Sequence, residues 1–169
     1  GVIASLRHEY ELLEGLDLPG IVKVRALVEE SQALEMVMDD AGPENLAVRI
    51  AGGPLPTADF LDVALQLAQA VAGLHEAGIV HRNINPANVA WDPAAGKACL
   101  VDFQIAMSLS ALTVDRVSPA QLEGELPYIS PEQTGRTGRS VDSRSDLYSL
   151  GASFYVLATG TPPFTAQDP

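Results

Sequence analysis

The sequence is poor in cysteine, in lysine and in long apolar runs, and each shortage excludes a class of protein. Its 169 residues contain one cysteine, so a disulfide framework is impossible. Ten basic and 22 acidic residues give a net charge of −12, which makes nucleic acid a poor partner because phosphate binding needs clustered lysine and arginine. No apolar run approaches the ~18 residues that span a bilayer, so no membrane segment is predicted.

The sequence does contain enough apolar residues for one core. Its 47% hydrophobic content and its length suit a single domain. Apolar residues at helical spacing predict helices over 4–16, 57–77 and 143–159. Short stretches rich in β-branched or apolar residues predict strands over 21–28, 33–38, 89–91 and 98–103. This order of elements predicts an α+β fold.

Several details of these elements are also expected. Thr57 is predicted to cap the N-terminus of the second helix, and Gly78 to follow its C-terminus. The apolar residues of the last helix are predicted to share one face, namely Leu147, Leu150, Phe154 and Leu157. Residues 104–141 have few apolar repeats and are predicted to form a long surface segment kept for function.

Three short motifs carry the functional signal through their order along the chain. The stretch HRNINPANV, residues 81–89, fits the pattern H-R-D-x-x-x-x-N at every position except Asn83, where the pattern has Asp. Further on, Asp102-Phe103 follows an apolar strand as a D-F-G would, with Gln104 in place of Gly. The third motif, Ser130-Pro131-Glu132, stands where A-P-E would close the segment.

Together these motifs resemble a protein kinase catalytic domain of Ser/Thr type over nearly the whole chain. The phrases INPANV and YISPEQTGR are closer still to the N-terminal kinase-like domain of large bacterial hybrid proteins, which join it to an NTPase module and a sensor histidine kinase. The resemblance implies a partial protein-kinase-like fold, truncated at both ends. Residues 1–38 would be the end of the small lobe, 39–42 the hinge and 43–169 the large lobe.

The resemblance implies binding roles for individual residues, with ATP and Mg²⁺ as cofactors. Asn88 and Asp102 would be the metal ligands, and their oxygen atoms suit Mg²⁺. On the nucleotide side, Glu9 would pair the phosphate-binding lysine, while Met38 and Asp39 would border the adenine pocket. Neither the lysine nor a glycine-rich loop occurs in these residues, so the sequence leaves ATP binding by the chain open.

The catalytic positions depart from the kinase pattern. Asn83 stands where Asp would take a proton, which an amide cannot do, and Asn85 stands where Lys would neutralise charge. Glu125 replaces a Thr that would bridge to both, so these three positions are expected to contact one another. Two interpretations stay open: a pseudokinase that regulates a signalling protein, and a weakly active kinase that relies on metal and positioning.

The remaining expectations concern structure and setting. His81 would stack in an internal spine anchored by Asp146, together with Leu13, Val24 and Phe103. Arg82 would pair with phosphate if a hydroxyl of segment 102–132 were modified, although ordinary polar loop residues are the favoured interpretation of Ser108, Ser110, Thr113 and Ser118. Glu132 would need a partner other than the usual arginine. The predicted partners are a protein substrate and other domains of the same polypeptide, in the cytoplasm.

Overall fold

The computed structural model describes residues 2–30, 33–112 and 124–164, and it confirms a mixed fold of helices and sheets. The chain begins with helix α1, Val2–Leu13, where helix 4–16 was predicted. A β-hairpin follows, with strands β1, Val24–Glu30, and β2, Ala33–Met38, paired antiparallel so that Val28 faces Glu35. Leu13 at the end of α1 is 1% exposed and belongs to the main core.

The predicted strand 21–28 is wrong in its first residues, which bind another sheet. Ile21 forms a parallel bridge with Leu100, and the Val22 N–H donates to the Leu100 carbonyl at 3.0 Å. The Leu100 N–H in turn donates to the Gly20 carbonyl at 2.8 Å. Because Ile21 and Val22 are buried, their backbone groups need such partners. These bonds join the N-terminal residues 2–38 to the rest of the described chain.

A second sheet lies in the middle of the chain. It consists of β3, Glu44–Asn45, β5, Val89–Asp92, and β6, Lys97–Leu100, in the order β3-β5-β6. A short helix α2, Leu46–Arg49, follows β3. Gly42 precedes this sheet with φ +138°, and a Cβ atom there would lie 2.9 Å from the Trp91 carbonyl oxygen. Only glycine can therefore occupy this approach to the sheet.

Helix α3, Thr57–Glu76, forms the centre of the core. Its buried stripe consists of Val63, Leu67, Ala70, Val71 and Leu74. The prediction that Thr57 is the N-cap is wrong. Thr57 is the first helical residue, and Pro56 precedes it as the N-cap. The Pro56 carbonyl already accepts the Phe60 N–H, so the helix starts one residue earlier than the threonine cap would require. Gly78 follows the helix with φ +75°, as predicted.

Helix α5, Ser143–Thr159, packs against α3 with a face that is partly polar. Asp142 caps it by accepting the Arg144 N–H at 2.9 Å. Leu150 and Leu157 are buried, but Leu147 is 56% exposed, so the single apolar face that was predicted is wrong. Three serines occupy the buried face at i, i+4 and i+8, namely Ser145, Ser149 and Ser153. They bond the backbone or side chains of neighbouring segments.

The predicted long surface segment is only partly at the surface. Strand β7, Met107–Ser108, pairs with β4, Ile79–Val80, and the short helix α4, Leu109–Leu112, follows. A 3₁₀ helix spans Pro131–Thr134, and Ala106, Ile129 and Ser130 are buried. Residues of this segment thus supply core as well as surface. None of the helices in the described parts of the chain is long and apolar enough to cross a membrane.

Candidate functional site

The loop after β4 is held by one buried carboxylate of α5. Asp146 is fully buried and accepts three hydrogen bonds: from the His81 N–H at 2.9 Å, the Arg82 N–H at 2.8 Å and His75 Nε2 at 2.8 Å. Arg82 has φ +67°, a conformation that non-glycine residues seldom adopt. The two backbone bonds to Asp146 compensate for this strain. They fix where the following residues lie.

His81 packs beneath the loop, as expected for a structural residue. Its ring is fully buried, and the centroids of the His81 and Phe103 rings lie 4.4 Å apart. His81 Nε2 is 3.3 Å from the Val101 carbonyl oxygen. Burial lowers the pKa of His81, against the opposing effect of Asp146. The side chain is therefore neutral at pH 7 and supports Phe103 instead of exchanging protons with a substrate.

Asn85 is a buried helix cap. It is 1% exposed, and its Oδ1 accepts the Ala87 N–H at 2.8 Å and the Asn88 N–H at 3.3 Å. These donors open the 3₁₀ helix Pro86–Asn88, which starts with proline directly after the cap. Its Nδ2 donates to Asn83 Oδ1 at 3.2 Å and to the Asn83 carbonyl at 3.1 Å. The expected contact between Asn83 and Asn85 therefore exists.

Asn83 lies between the cap and the carboxylate of Asp102. Its Nδ2 donates to Asp102 Oδ2 at 3.4 Å, while its Oδ1 accepts from Asn85. Glu125, the third expected partner, is exposed, and in the described part of the chain no hydrogen bond joins its side chain to Asn83 or Asn85. The preceding residue, Gly124, lies near Asn83: a Cβ atom at Gly124 would lie 3.4 Å from Asn83 Oδ1.

Asn88 and Asp102 lie on neighbouring backbone segments, because Asn88 bonds the residue before Asp102. The Val101 N–H donates to the Asn88 carbonyl at 3.0 Å, and Asn88 Nδ2 donates to the Asn83 carbonyl at 2.9 Å. That second bond uses the amide nitrogen and leaves Asn88 Oδ1 as an acceptor. A carboxylate and an amide oxygen suit Mg²⁺, which retains several waters when the protein supplies few ligands. The donor set therefore fits this cation, although the described residues contain no cluster of three or more His, Cys, Asp or Glu.

Asp102 has φ +63°, and Gln104 after it is exposed. The adjacent Phe103 is fully buried, and its N–H donates to Glu9 Oε1 at 2.8 Å. Glu9 itself is 3% exposed, and desolvation raises its pKa although the Phe103 N–H acts in the opposite direction. No lysine bonds Glu9 in the described residues; Lys23 instead donates to Asp17 at 2.6 Å. The structure thus assigns Glu9 a contact with the residue after Asp102.

The predicted adenine border is partly engaged already. Met38 ends β2 and is 40% exposed. Both carboxylate oxygens of Asp39 accept from Arg25 at 2.6 Å, and this pairing lowers the pKa of Asp39. The Asp39 N–H is bound to the Lys23 carbonyl at 2.9 Å. A cavity of about 510 Å³ lies nearby, but of the predicted site residues only Asp39 lines it.

The segment after Asp102 is anchored at both of its described ends. Arg82 donates to the Ile105 carbonyl at 3.0 Å, and His8 Nε2 lies 2.7 Å from the Ala106 carbonyl oxygen. At the other end, Ser145 Oγ donates to Glu132 at 2.7 Å, which supplies the partner that Glu132 was expected to need. Ser108 and Ser110 bond each other at 3.0 Å; Thr113 and Ser118 lie outside the described residues.

Sequence reasoning missed two groups that hold the site together. His75, in the last turn of α3, bonds the buried carboxylate of Asp146. Gln133 donates to the Arg82 carbonyl at 2.8 Å and bonds the Ser130 N–H, so it ties the end of the segment to the loop. No local sequence pattern predicts either contact. The cap at Asn85 was also missed, although Asn followed by Pro is a typical start of a helix.

Comparison with known proteins adds the family. Residues 3–169 match the family model described as the protein kinase domain. The chain is 33% identical over 172 residues to serine/threonine-protein kinase pkn2 of Myxococcus xanthus, covering 100% of this chain and 20% of that protein. It is 34% identical over 166 residues to serine/threonine-protein kinase PrkC of Bacillus subtilis, covering 98% and 25%.

A third relative is the DNA damage-responsive serine/threonine-protein kinase RqkA of Deinococcus radiodurans, at 36% identity over 164 residues. The match covers 95% of this chain and 24% of that protein. The chain therefore spans only between a fifth and a quarter of the length of these three relatives.

Proposed function

Because this chain belongs to the protein kinase domain family, of the Ser/Thr type, we propose that it is a signalling domain whose phosphoryl-transfer centre is catalytically impaired. Kinases of this family use ATP and Mg²⁺ and act on proteins. Their catalysis consists mainly of positioning and charge neutralisation. The proposal depends on what Asn83 and Asn85 can still do.

The observation that carries the proposal is the bonding of Asn83. Both ends of its amide are engaged, Nδ2 with Asp102 and Oδ1 with Asn85. An amide oxygen has no basicity in the physiological pH range, so it cannot take the proton of an attacking hydroxyl. Loss of a general base alone costs roughly 10²–10⁴ in rate.

Asn85 adds a second loss. A lysine at this position would neutralise charge on the transferred group, whereas the buried Asn85 amide is spent on the 3₁₀ helix and on Asn83. Removing one such electrostatic donor costs on the order of 10²–10³ in rate. The two effects together support a domain that keeps the fold and has lost most of its turnover.

Binding of a nucleotide with Mg²⁺ is part of the proposal. Asp102 and Asn88 Oδ1 would hold the cation, which when bound neutralises phosphate charge. Glu9 keeps the segment behind Asp102 in place through Phe103, and Met38 with Asp39 would border the base. Asn83 donates to the Asp102 carboxylate, and Asn88 keeps its side-chain oxygen available because its amide nitrogen bonds the Asn83 carbonyl.

The alternative is an active Ser/Thr kinase module that phosphorylates a protein. The retained pair Asn88 and Asp102 favours it, because metal and positioning supply much of phosphoryl-transfer catalysis without a base. A kinase of this kind would turn over slowly, and its rate would depend on both metal ligands. The two candidates therefore differ in rate and not in fold.

We further propose how the chain is divided and where it acts. Residues 1–38 would be the end of a small lobe, 39–42 a hinge and 43–169 a large lobe, as in kinases. The matched region covers only 20% and 25% of two of the relatives. This supports regulation through other domains of the same polypeptide, as in the bacterial hybrid proteins. ATP and signalling proteins are found together in the cytoplasm, where we propose that the domain acts.

Phosphate transfer from labelled ATP tests the proposal on the full protein. We expect wild type to show no transfer above Asp102→Ala, and Asn83→Asp to raise the rate by ~10²–10⁴ because it restores a base. Asn45→Asp is the matched control, since the Asn45 side chain caps α2 by accepting the Val48 N–H and has no hydrogen bond to Asn83 or Asp102 in the described residues. Robust wild-type turnover that Asn88→Ala or Asp102→Ala abolishes would favour the active kinase. A thermal shift with ATP that does not depend on Mg²⁺ would contradict the binding of Mg²⁺ with the nucleotide, and no shift with ATP at all would contradict nucleotide binding.

A further inference from the structure

We infer that Asn85 is a positioning residue for Mg²⁺: it orients the Asn83 amide, which in turn orients the carboxylate of Asp102. The inference rests on the proposed function only in taking Asp102 as a metal ligand. It assigns Asn85 a role different from that of the lysine usual at this position. The argument follows the hydrogen bonds outward from the helix that Asn85 caps.

The first step fixes the orientation of Asn85. Its Oδ1 faces two backbone donors, the N–H groups of Ala87 and Asn88. If the amide were turned by 180°, its NH₂ group would face both donors, and a buried cap would be lost. Because the residue is 1% exposed, water cannot supply the missing bonds. The side chain therefore directs its oxygen to the helix and its NH₂ group toward Asn83.

The second step transfers this orientation to Asn83. The NH₂ group of Asn85 donates to both the backbone carbonyl and Oδ1 of Asn83, at 3.1 and 3.2 Å. A turned Asn83 amide would place two NH₂ groups against each other. Asn83 therefore keeps its oxygen toward Asn85.

The third step reaches the carboxylate. With its oxygen toward Asn85, Asn83 presents Nδ2 to Asp102 Oδ2 at 3.4 Å. This donor favours one rotation of the carboxylate and leaves the other oxygen, Oδ1, available as a ligand. Groups that bond a metal ligand from behind commonly change metal affinity by ~10–100-fold when they are removed. Asn85 also caps the helix that ends at Asn88, a bond that Asn85→Ser is designed to keep, so the inferred effect on the metal is the part that passes through Asn83.

A double-mutant cycle on Mg²⁺ affinity tests the relay in the full protein. Mg²⁺ is titrated in the presence of a non-hydrolysable ATP analogue, and the thermal shift is followed. Asn85→Ser keeps a capping oxygen but removes the NH₂ group, and Asn83→Leu removes the donor to Asp102. We expect each variant to weaken Mg²⁺ binding about tenfold, and the double variant to be no weaker than Asn83→Leu.

The matched control is Asn45→Ser, which makes the same substitution at another capping asparagine. It should leave Mg²⁺ affinity unchanged. A variant that only lowers the stability of the fold should likewise leave Mg²⁺ affinity unchanged. An unchanged affinity in Asn85→Ser would overturn the inference, and so would effects of Asn83→Leu and Asn85→Ser that multiply. Phosphate transfer by wild type is a separate readout, so failure of the proposed function is recognised independently.

A measurement on wild type keeps the inference testable if a variant does not fold. In ¹H–¹⁵N spectra, the side-chain NH₂ of Asn85 should exchange slowly with solvent, because it is buried and bonded. Mg²⁺ should shift the side-chain NH₂ resonances of Asn83 and leave those of Asn45 unchanged. Rapid exchange at Asn85, or no Mg²⁺ effect at Asn83, would contradict the relay.

Discussion

At the scale of single residues, the fold buries two ionisable groups beside Phe103, and burial alters both pKa values. Glu9 accepts the Phe103 N–H, and His81 packs against the Phe103 ring. Desolvation raises the pKa of Glu9 and lowers the pKa of His81, so each is pushed toward its neutral form.

Glu9 gives a prediction on pH. Its pKa in the folded protein is raised above the ordinary value of 4.5, so the folded state binds this proton more readily than the unfolded state. The stability from this group is complete below pH 4.5 and is lost as pH rises through the folded-state value. Glu9→Gln keeps an acceptor for the Phe103 N–H without the charge. We expect it to unfold at higher urea than wild type at pH 7.

The same measurement at pH 4 should show a smaller difference between Glu9→Gln and wild type, because Glu9 then carries its proton. Glu11→Gln on the same helix is the control, since Glu11 is exposed and should change stability little at either pH. A gap that is equal at both pH values would contradict the raised pKa and point to packing instead.

The sequence predicted which residues meet at the site better than how they bond. Hydrogen bonds join Asn83 to Asn85, Asn88 and Asp102, whereas Glu125, which was expected to contact Asn83 and Asn85, has no hydrogen bond to either in the described residues; the functional roles remain predictions. Bond direction could not be predicted, because the orientation of an amide depends on every neighbouring donor and acceptor. Two of those donors to Asn85 are backbone N–H groups that a pattern of side chains does not show.

At the scale of elements, local signals located the helices well and the strands less well. Helix α5 agrees with the predicted range 143–159 at both ends, and strand β2 agrees with 33–38, because apolar spacing and turns act within the segment. Ile21 and Val22 were placed in the wrong strand, since their partner Leu100 is distant in sequence. The choice of partner strand is a tertiary effect that β-branched composition does not report.

The cap of α5 yields a prediction on stability. Asp142 accepts the Arg144 N–H at 2.9 Å, and its carboxylate also bonds the exposed Arg144 side chain. Asp142→Ala leaves a helix N–H without its acceptor, and we expect the free energy of unfolding to fall by about 0.5–2 kcal/mol. Asp142→Asn retains an acceptor and should cost much less in the same urea titration. An equal loss in both variants would attribute the effect to the ion pair, which exposure makes weak.

At the scale of the whole molecule, one core joins the first part of the chain, residues 2–38, to the second part, the described residues after it. Leu13 and Val22 from the first part belong to the same buried cluster as Phe103, Leu150 and Leu157 from the second. The bridge from Ile21 to Leu100 adds backbone hydrogen bonds between them. The loop that carries Asn83 lies against this cluster through His81. A substitution that destabilises the core should therefore also destabilise the structure of this loop. Unfolding is therefore expected to be cooperative.

The single tryptophan allows that cooperativity to be tested. Trp91 is 4% exposed in β5, whereas Leu13 ends α1 and is 1% exposed. If the core is one unit, Leu13→Ala should lower the free energy of unfolding reported by Trp91 fluorescence by about 2–5 kcal/mol, and far-UV circular dichroism should give the same transition. Ile3→Ala, on the same helix at 61% exposure, should change it by less than about 0.5 kcal/mol. A Trp91 transition that Leu13→Ala does not move, preceded by an early loss of helical signal, would instead mean that the two parts unfold independently.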